Sequence, residues 1–491
     1  MIMIKNLRWL LLITLVFAAC NNDDDNSVKE EPLTAGSADF SRYVALGNSL
    51  TAGYSDNALF KRGQQNSYPN ILASQFALVG GGEFRIPYVG DDNLGGLLLG
   101  GNVIQGTRLY FNGVGPVNVP GTPLTEITEH QTGPFNNLGV PGAKSFHLLA
   151  NGYGNVAGVP IGASNPYFVR FASSPTASVI EDAVAQNPTF FSLWIGANDV
   201  LSYATSGGIG VNQTGNLDPT SYGANDITDP NVFANVYQTL VTALTANGAK
   251  GVVCNIPYVS TIPYFTTVPY NPVTLDAATA AQLNAGYATY NGGLQVAVQN
   301  QLLSPEEAAR RTITFQAGKN PVIIADSYLT NLAALGLPSY RPATNQDLMV
   351  LPSRNFIGTL VNGNPAAVNG VSVPLADSWV LSKDEVQEVK TATDAYNATI
   401  HSLADSKGLA YFDSNALLQQ VYNGGIRFGN YHLSAAYVTG GAFSLDGVHP
   451  SARGYALIAN KILEAINARY GSNLKGVKIE DYQIQYPMTL N

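Results

Sequence analysis

Four short stretches of the sequence carry residue types that can do acyl-transfer chemistry together: Gly47-Asn48-Ser49-Leu50, Asn137-Leu138-Gly139-Val140-Pro141-Gly142, Gly196-Ala197-Asn198-Asp199 and Asp446-Gly447-Val448-His449. A serine hydroxyl is a weak nucleophile until a base removes its proton. His449 suits that task because an imidazole titrates near neutrality. Asp446, three positions earlier, can accept the hydrogen on Nδ1, which fixes the tautomer and stabilises the imidazolium. The backbone N–H groups of Ser49 and Gly142 and the side-chain amide of Asn198 are donors for an oxyanion hole. One such donor typically contributes about 3–4 kcal/mol of barrier lowering. Taken singly, each piece has a plainer role: a turn serine, a turn glycine, a polar turn, and a helix-entry loop capped by Ser451. Four pieces in this order, read as lying at successive strand ends, favour the chemical role.

The elements that must position them can be read from patterning. Residues 43–46 form a short apolar strand that breaks at Gly47, and Asn48 suits the bend because Asn tolerates left-handed backbone. Residues 67–78 have helical spacing with an early Pro. Apolar strand runs recur at 189–195, 250–256 and 408–413, separated by helical patterns at 178–186, 231–247, 275–303 and, after a Ser382/Glu385 capping box, to about 406. Short strands are expected at 313–315, 322–326 and 370–373, and a final helix at 451–469. Gly80 to Phe135, Ser206 to Asp229 and residues 304–381 read as insertions of loops and hairpins. Strands alternating with helices long enough to cross over predict an α/β fold with a mostly parallel sheet covered on both faces. The carboxyl-edge loops of such a sheet converge even when far apart in sequence.

With these neighbours the four stretches resemble blocks I, II, III and V of the SGNH (GDSL-type) hydrolase family, over residues 41–470. The resemblance implies a three-layer α/β/α flavodoxin-like fold. It also implies esterase, lipase, thioesterase or carbohydrate deacetylase activity on acylated lipids or sugars, with no metal and no organic cofactor. By position, Ser49 is then the nucleophile, His449 the base and Asp446 its orienter, with Ser49, Gly142 and Asn198 forming the oxyanion hole. Asn48 stands where the family usually has Asp, a position with none of these roles. Two other readings stay open: a scaffold lipoprotein that keeps the frame without turnover, and an acyltransferase using the same triad.

The start of the chain reads as a targeting segment. Lys5 and Arg8 precede an apolar run at 9–19 that is too short to span a bilayer, and Ala18-Ala19-Cys20 closes it. This resembles a lipoprotein signal peptide (1–19) of Bacteroidetes-type Gram-negative bacteria, with Cys20 lipidated and 20–40 a flexible acidic tether. A lipid anchor in the cell envelope is therefore expected, most simply at the outer membrane, facing the periplasm or the surface. Among 491 residues the net charge is −9 and only 12% are charged, so no basic surface for nucleic acid is expected. Besides Cys20 the chain has Cys254, in a buried-strand run where it packs as a small apolar group. No Cys/His cluster has metal-ligand spacing. His130, His147, His401 and His432 lie outside the four stretches and read as structural, and Asp199 as a brace for its own loop. Residues 471–491 form a tail with no readable element, and nothing in the sequence fixes an oligomeric state.

Overall fold

Five short segments pair side by side as parallel strands: β1 (Tyr43–Gly47), β2 (Asn137–Gly139), β3 (Phe190–Trp194), β4 (Lys250–Cys254) and β5 (Ala410–Phe412). Their order across the sheet is β5-β4-β3-β1-β2. This is the flavodoxin-like order, in which ligands meet the carboxyl edge where the chain reverses direction beside β1. The computed structural model describes residues 31–90 and 93–490. The signal segment and Cys20 lie outside the described residues. The sheet and the helices around it belong to the unit Ala35–Asn491.

Among its helices are α1 (Ser49–Ala52), α2 (Tyr68–Phe76), α3 (Val179–Val184), α4 (Asn198–Thr205), α5 (Pro230–Thr245), α6 (Ala277–Gln299), α7 (Lys383–Lys407), α8 (Ser414–Asn423) and α9 (Ala452–Tyr470). Because side chains alternate along a strand, β1 feeds both sides of the sheet. Tyr43 and Ala45 join Phe190 in a core with Leu72 and Phe76 of α2 and Ile462 and Ile466 of α9. Val44 and Leu46 join Phe191 and Leu193 in a core with Phe233 and Leu240 of α5 and Tyr396 and Ile400 of α7. Burying each such side chain contributes roughly 1.5–3 kcal/mol, so the three layers hold themselves together. Helix α7 begins with a complete capping box: Glu385 accepts from the Ser382 N–H at 2.7 Å, and the Ser382 hydroxyl accepts in return. Cys254 is fully buried in the α2/α9 core.

Two insertions shape the carboxyl edge. Residues 97–105 and 109–118 form hairpins. Helix α6 and residues 313–380 build a separate core around Ile313, Phe315, Ile324, Met349 and Leu375. Within it, 323–325 pairs antiparallel with 340–342, and Arg341 is buried with Asp347 at 2.7 Å. Residues 313–315 and 370–373, expected as strands, are not strands. The amide of Asn291 accepts from Ile313 N–H and donates to Ile313 C=O, and Asn284 does the same for Phe315. Two helix-borne amides thus replace a strand partner. Gly370 instead opens a tight turn closed by its N–H on Val373 C=O. The tail is also ordered. Tyr486 is buried edge-on against Phe60 and accepts from Asn66, while Pro487 and Met488 carbonyls accept from the buried Arg108 guanidinium. Among the described residues no helix is long and apolar enough to cross a membrane.

Candidate active site

Ser49 opens α1 directly after β1, and the turn that presents it is tightly packed. A Cβ at Gly47 would sit 2.2 Å from the Thr51 hydroxyl and 2.3 Å from the Trp194 carbonyl, so only glycine fits. Asn48 has φ −104°, not the left-handed backbone its residue type suggested. Its function is capping: Oδ1 accepts the Leu50 N–H at 3.0 Å. An aspartate in that place could accept the same bond.

The structure brings Ser49, His449 and Asp446 together. Ser49 Oγ lies 2.8 Å from His449 Nε2, and His449 Nδ1 lies 2.9 Å from Asp446 Oδ2. Asp446 Oδ1 accepts from the N–H groups of Val448 and His449 and from the Ser444 hydroxyl, at 2.8–3.0 Å. Oδ2 also accepts the Asn57 N–H at 3.0 Å. Burial alone would push this carboxyl up, but His449 and the donors around it outweigh that and hold it at about 2. An ionised Asp446 requires the Nδ1–H tautomer of His449, leaving Nε2 free to accept the serine proton. Tyr54 packs its ring against the imidazole at 4.6 Å between centroids.

The candidate oxyanion donors lie after three strands, and the loops that carry Gly142 and Asn198 are stapled together. Asn198 at the start of α4 donates from Nδ2 to the Ala143 carbonyl at 2.9 Å. That fixes the amide plane and leaves its second Nδ2 hydrogen available. Asp199 does not brace its own loop. It accepts from the Ser145 N–H and hydroxyl at 2.8 and 2.7 Å and so ties α4 to the loop after β2. On that loop Gly142 has φ +82°, and Asn165 donates to the Pro141 carbonyl beside it at 2.8 Å. Among the described residues neither the Ser49 nor the Gly142 N–H has a protein acceptor.

Sequence reading missed the loop that joins the nucleophile to the base. Ser55 donates to the Pro450 carbonyl, Asp56 N–H to Ser444 Oγ, Leu445 N–H to Asp56 Oδ1, and Asn57 N–H to Asp446. Asp56 and Asn57 both have positive φ, 51° and 63°, which points two successive N–H groups at the histidine loop. The adjacent Asp-Asn pair is the one sequence signal for such a turn. Burial pushes the Asp56 carboxyl up to about 7 against the Leu445 N–H; the nearby Asp446 adds to the rise and Arg108 opposes it.

The remaining histidines stay outside this centre. Burial and Lys144 push His147 down to about 4, and its neutral ring accepts the Lys144 N–H. His130 and His432 bond backbone carbonyls, and His401 is exposed beside Asp405. Leu97 packs with Tyr54, Ile127 and Tyr167 instead of lining a groove. No group of three or more His, Cys, Asp or Glu side chains among the described residues is arranged to hold a metal ion.

A family model described as GDSL-like Lipase/Acylhydrolase matches residues 43–462. No curated protein matches the chain. Among solved structures the chain is similar to LAE5, an alpha/beta hydrolase enzyme from the metagenome of Lake Arreo, Spain, at 11% identity over 88% of this chain and 96% of that one, with a TM-score of 0.33. It is also similar to a point mutant of Axe2, an acetyl-xylooligosaccharide esterase from Geobacillus stearothermophilus, at 10% identity over 90% and 99% of the two chains, with a TM-score of 0.33.

Proposed function

We propose, from the premise that this chain belongs to the GDSL-like lipase/acylhydrolase family and is a carboxylic ester hydrolase, that it acts through a Ser49-His449-Asp446 triad and an acyl-enzyme. The single observation that carries this reading is the 2.8 Å contact between Ser49 Oγ and His449 Nε2, with Asp446 on the other ring nitrogen. Nε2 takes the hydroxyl proton as Oγ attacks the ester carbonyl. The new oxyanion is held by the N–H groups of Ser49 and Gly142 and the amide of Asn198. The imidazolium, stabilised by Asp446, then gives its proton to the leaving alcohol. Water, deprotonated by the same histidine, releases the acid. A serine-directed fluorophosphonate should label the wild type and not Ser49→Ala. Ester turnover should fall at least about a thousandfold in Ser49→Ala and in His449→Ala. Labelling that survives in folded Ser49→Ala would move the nucleophile elsewhere.

We further propose that Cys20 carries a lipid that anchors the enzyme in the cell envelope, with acylated sugars or lipids as substrates. Support for the anchor comes from Lys5, Arg8, the apolar run and the Ala18-Ala19-Cys20 ending. Incorporation of labelled palmitate that disappears in Cys20→Ser tests it.

A further inference from the structure

On the Asn198 side of the nucleophile a cavity of about 110 Å³ runs along the carboxyl edge of the sheet. Ser49, Asn198 and His449 lie on its lining. Its apolar wall is built by Leu201 of α4, Ile262 after β4, Leu417 and Leu418 of α8 and Leu457 and Ile458 of α9.

The chemistry of the wall decides what fits. Most polar groups on the lining away from the triad are already engaged. The Trp194 indole N–H donates to the Asn255 carbonyl, and the Ser414 hydroxyl donates to the same residue. The Asn48 amide oxygen accepts from Leu50. A sugar hydroxyl placed against this wall would lose its hydrogen bonds to water and find few replacements, at a cost that apolar contact does not offset. A hydrocarbon chain loses nothing and gains the full burial of its methylenes. Size sets the length. A dry cavity of about 150 Å³ accepts the six carbons of a benzene ring, so this one holds about four carbons beyond the carbonyl and suits an acyl chain of about four to six carbons, more than an acetyl group needs.

We infer that this cavity is the acyl-binding site, and that the preferred substrates are esters of short-chain fatty acids, from butyryl to hexanoyl. The inference rests on the hydrolase reading for turnover, but binding to the cavity does not. Two measurements keep them apart. The first is kcat/KM for nitrophenyl acetate, butyrate, hexanoate, octanoate and palmitate, in wild type and in Leu201→Trp, which narrows the cavity from a partly exposed position. The second is ligand-observed NMR of methyl hexanoate and methyl acetate binding to Ser49→Ala, which cannot turn them over. Each added methylene should raise kcat/KM roughly fourfold until the cavity is full. Butyryl should therefore exceed acetyl by about fifteenfold and hexanoyl by up to about 250-fold, and palmitoyl should fall away. Leu201→Trp should reduce the hexanoyl-to-acetyl ratio about tenfold, and Leu418→Phe, also on the lining, should act in the same direction. Preferential binding of methyl hexanoate without any ester turnover in wild type would uphold the cavity and remove the hydrolase reading. Fastest turnover of acetate with a steady decline thereafter, or methyl hexanoate binding Ser49→Ala no better than methyl acetate, would overturn the inference and leave the hydrolase intact.

Discussion

Two carboxyls a few residues from the reacting atoms are pushed in opposite directions, and each has its own signature in pH. Asp446 sits at about 2, below its unfolded value near 4. Its contribution of about 2–3 kcal/mol is therefore present above pH 4 and lost as pH falls toward 2. Asp446→Asn should flatten that acid limb in thermal melts and lower turnover roughly 10²–10⁴-fold, because the imidazole loses its orienter. Asp56 sits at about 7, above its unfolded value. Between pH 4 and 7 the folded state holds a proton that the unfolded state has released, so stability falls as pH rises through that range. Asp56→Asn keeps the acceptor for Leu445 and should melt higher than wild type at pH 8, with the gap closing by pH 4. Ser49, Asp446 and His449 were legible because each stands in a short local motif and histidine is scarce in this sequence, with five in all. The roles of Asn57, Ser444 and Asn165 were not, because they act through backbone groups or on partners far away in sequence. Nothing in their residue types names those partners.

At the level of elements, two loops at the carboxyl edge are fastened directly to each other. Asn198 and Asp199 tie α4 to the loop after β2, which holds Asn198 and Gly142 in a fixed relation. Asn198→Ala should cost about 10²–10³ in kcat, since it removes a donor and loosens the Ala143 carbonyl. Four of the five strands and the α7 capping box were visible as apolar runs and a Ser/Glu pair, signals contained within one element, whereas β2, Asn137-Leu138-Gly139, has no apolar run to announce it. Residues 313–315 also alternate in a strand-like way, yet the groups that satisfy their backbone are Asn284 and Asn291 on α6. No local pattern distinguishes a strand partner from a row of helix amides. Removing either amide leaves backbone groups unpaired at a cost of about 1–3 kcal/mol. Asn284→Ala and Asn291→Ala should therefore speed limited proteolysis near residues 312–320, and hydrolysis of a short aryl ester should change far less than in Asn198→Ala.

For the molecule as a whole, the tail has more effect than its composition suggested. Arg108, buried within the first insertion, donates to the carbonyls of Pro487 and Met488, and Tyr486 fills the space against Phe60. Truncation after Ser472 would strip a buried guanidinium of two acceptors. It should lower stability by roughly 3 kcal/mol or more, read as a drop in denaturant midpoint. The tail has no apolar periodicity of its own, since it folds only onto surfaces that the rest of the chain supplies. That dependence, together with the distance in sequence between the two halves of the triad, bears on how the protein is made. A ribosome delivers the serine early and the histidine four hundred residues later. A nascent, stalled or clipped chain thus carries a hydroxyl with no base beside it, and the cell's own esters meet no reactive serine until synthesis has almost finished.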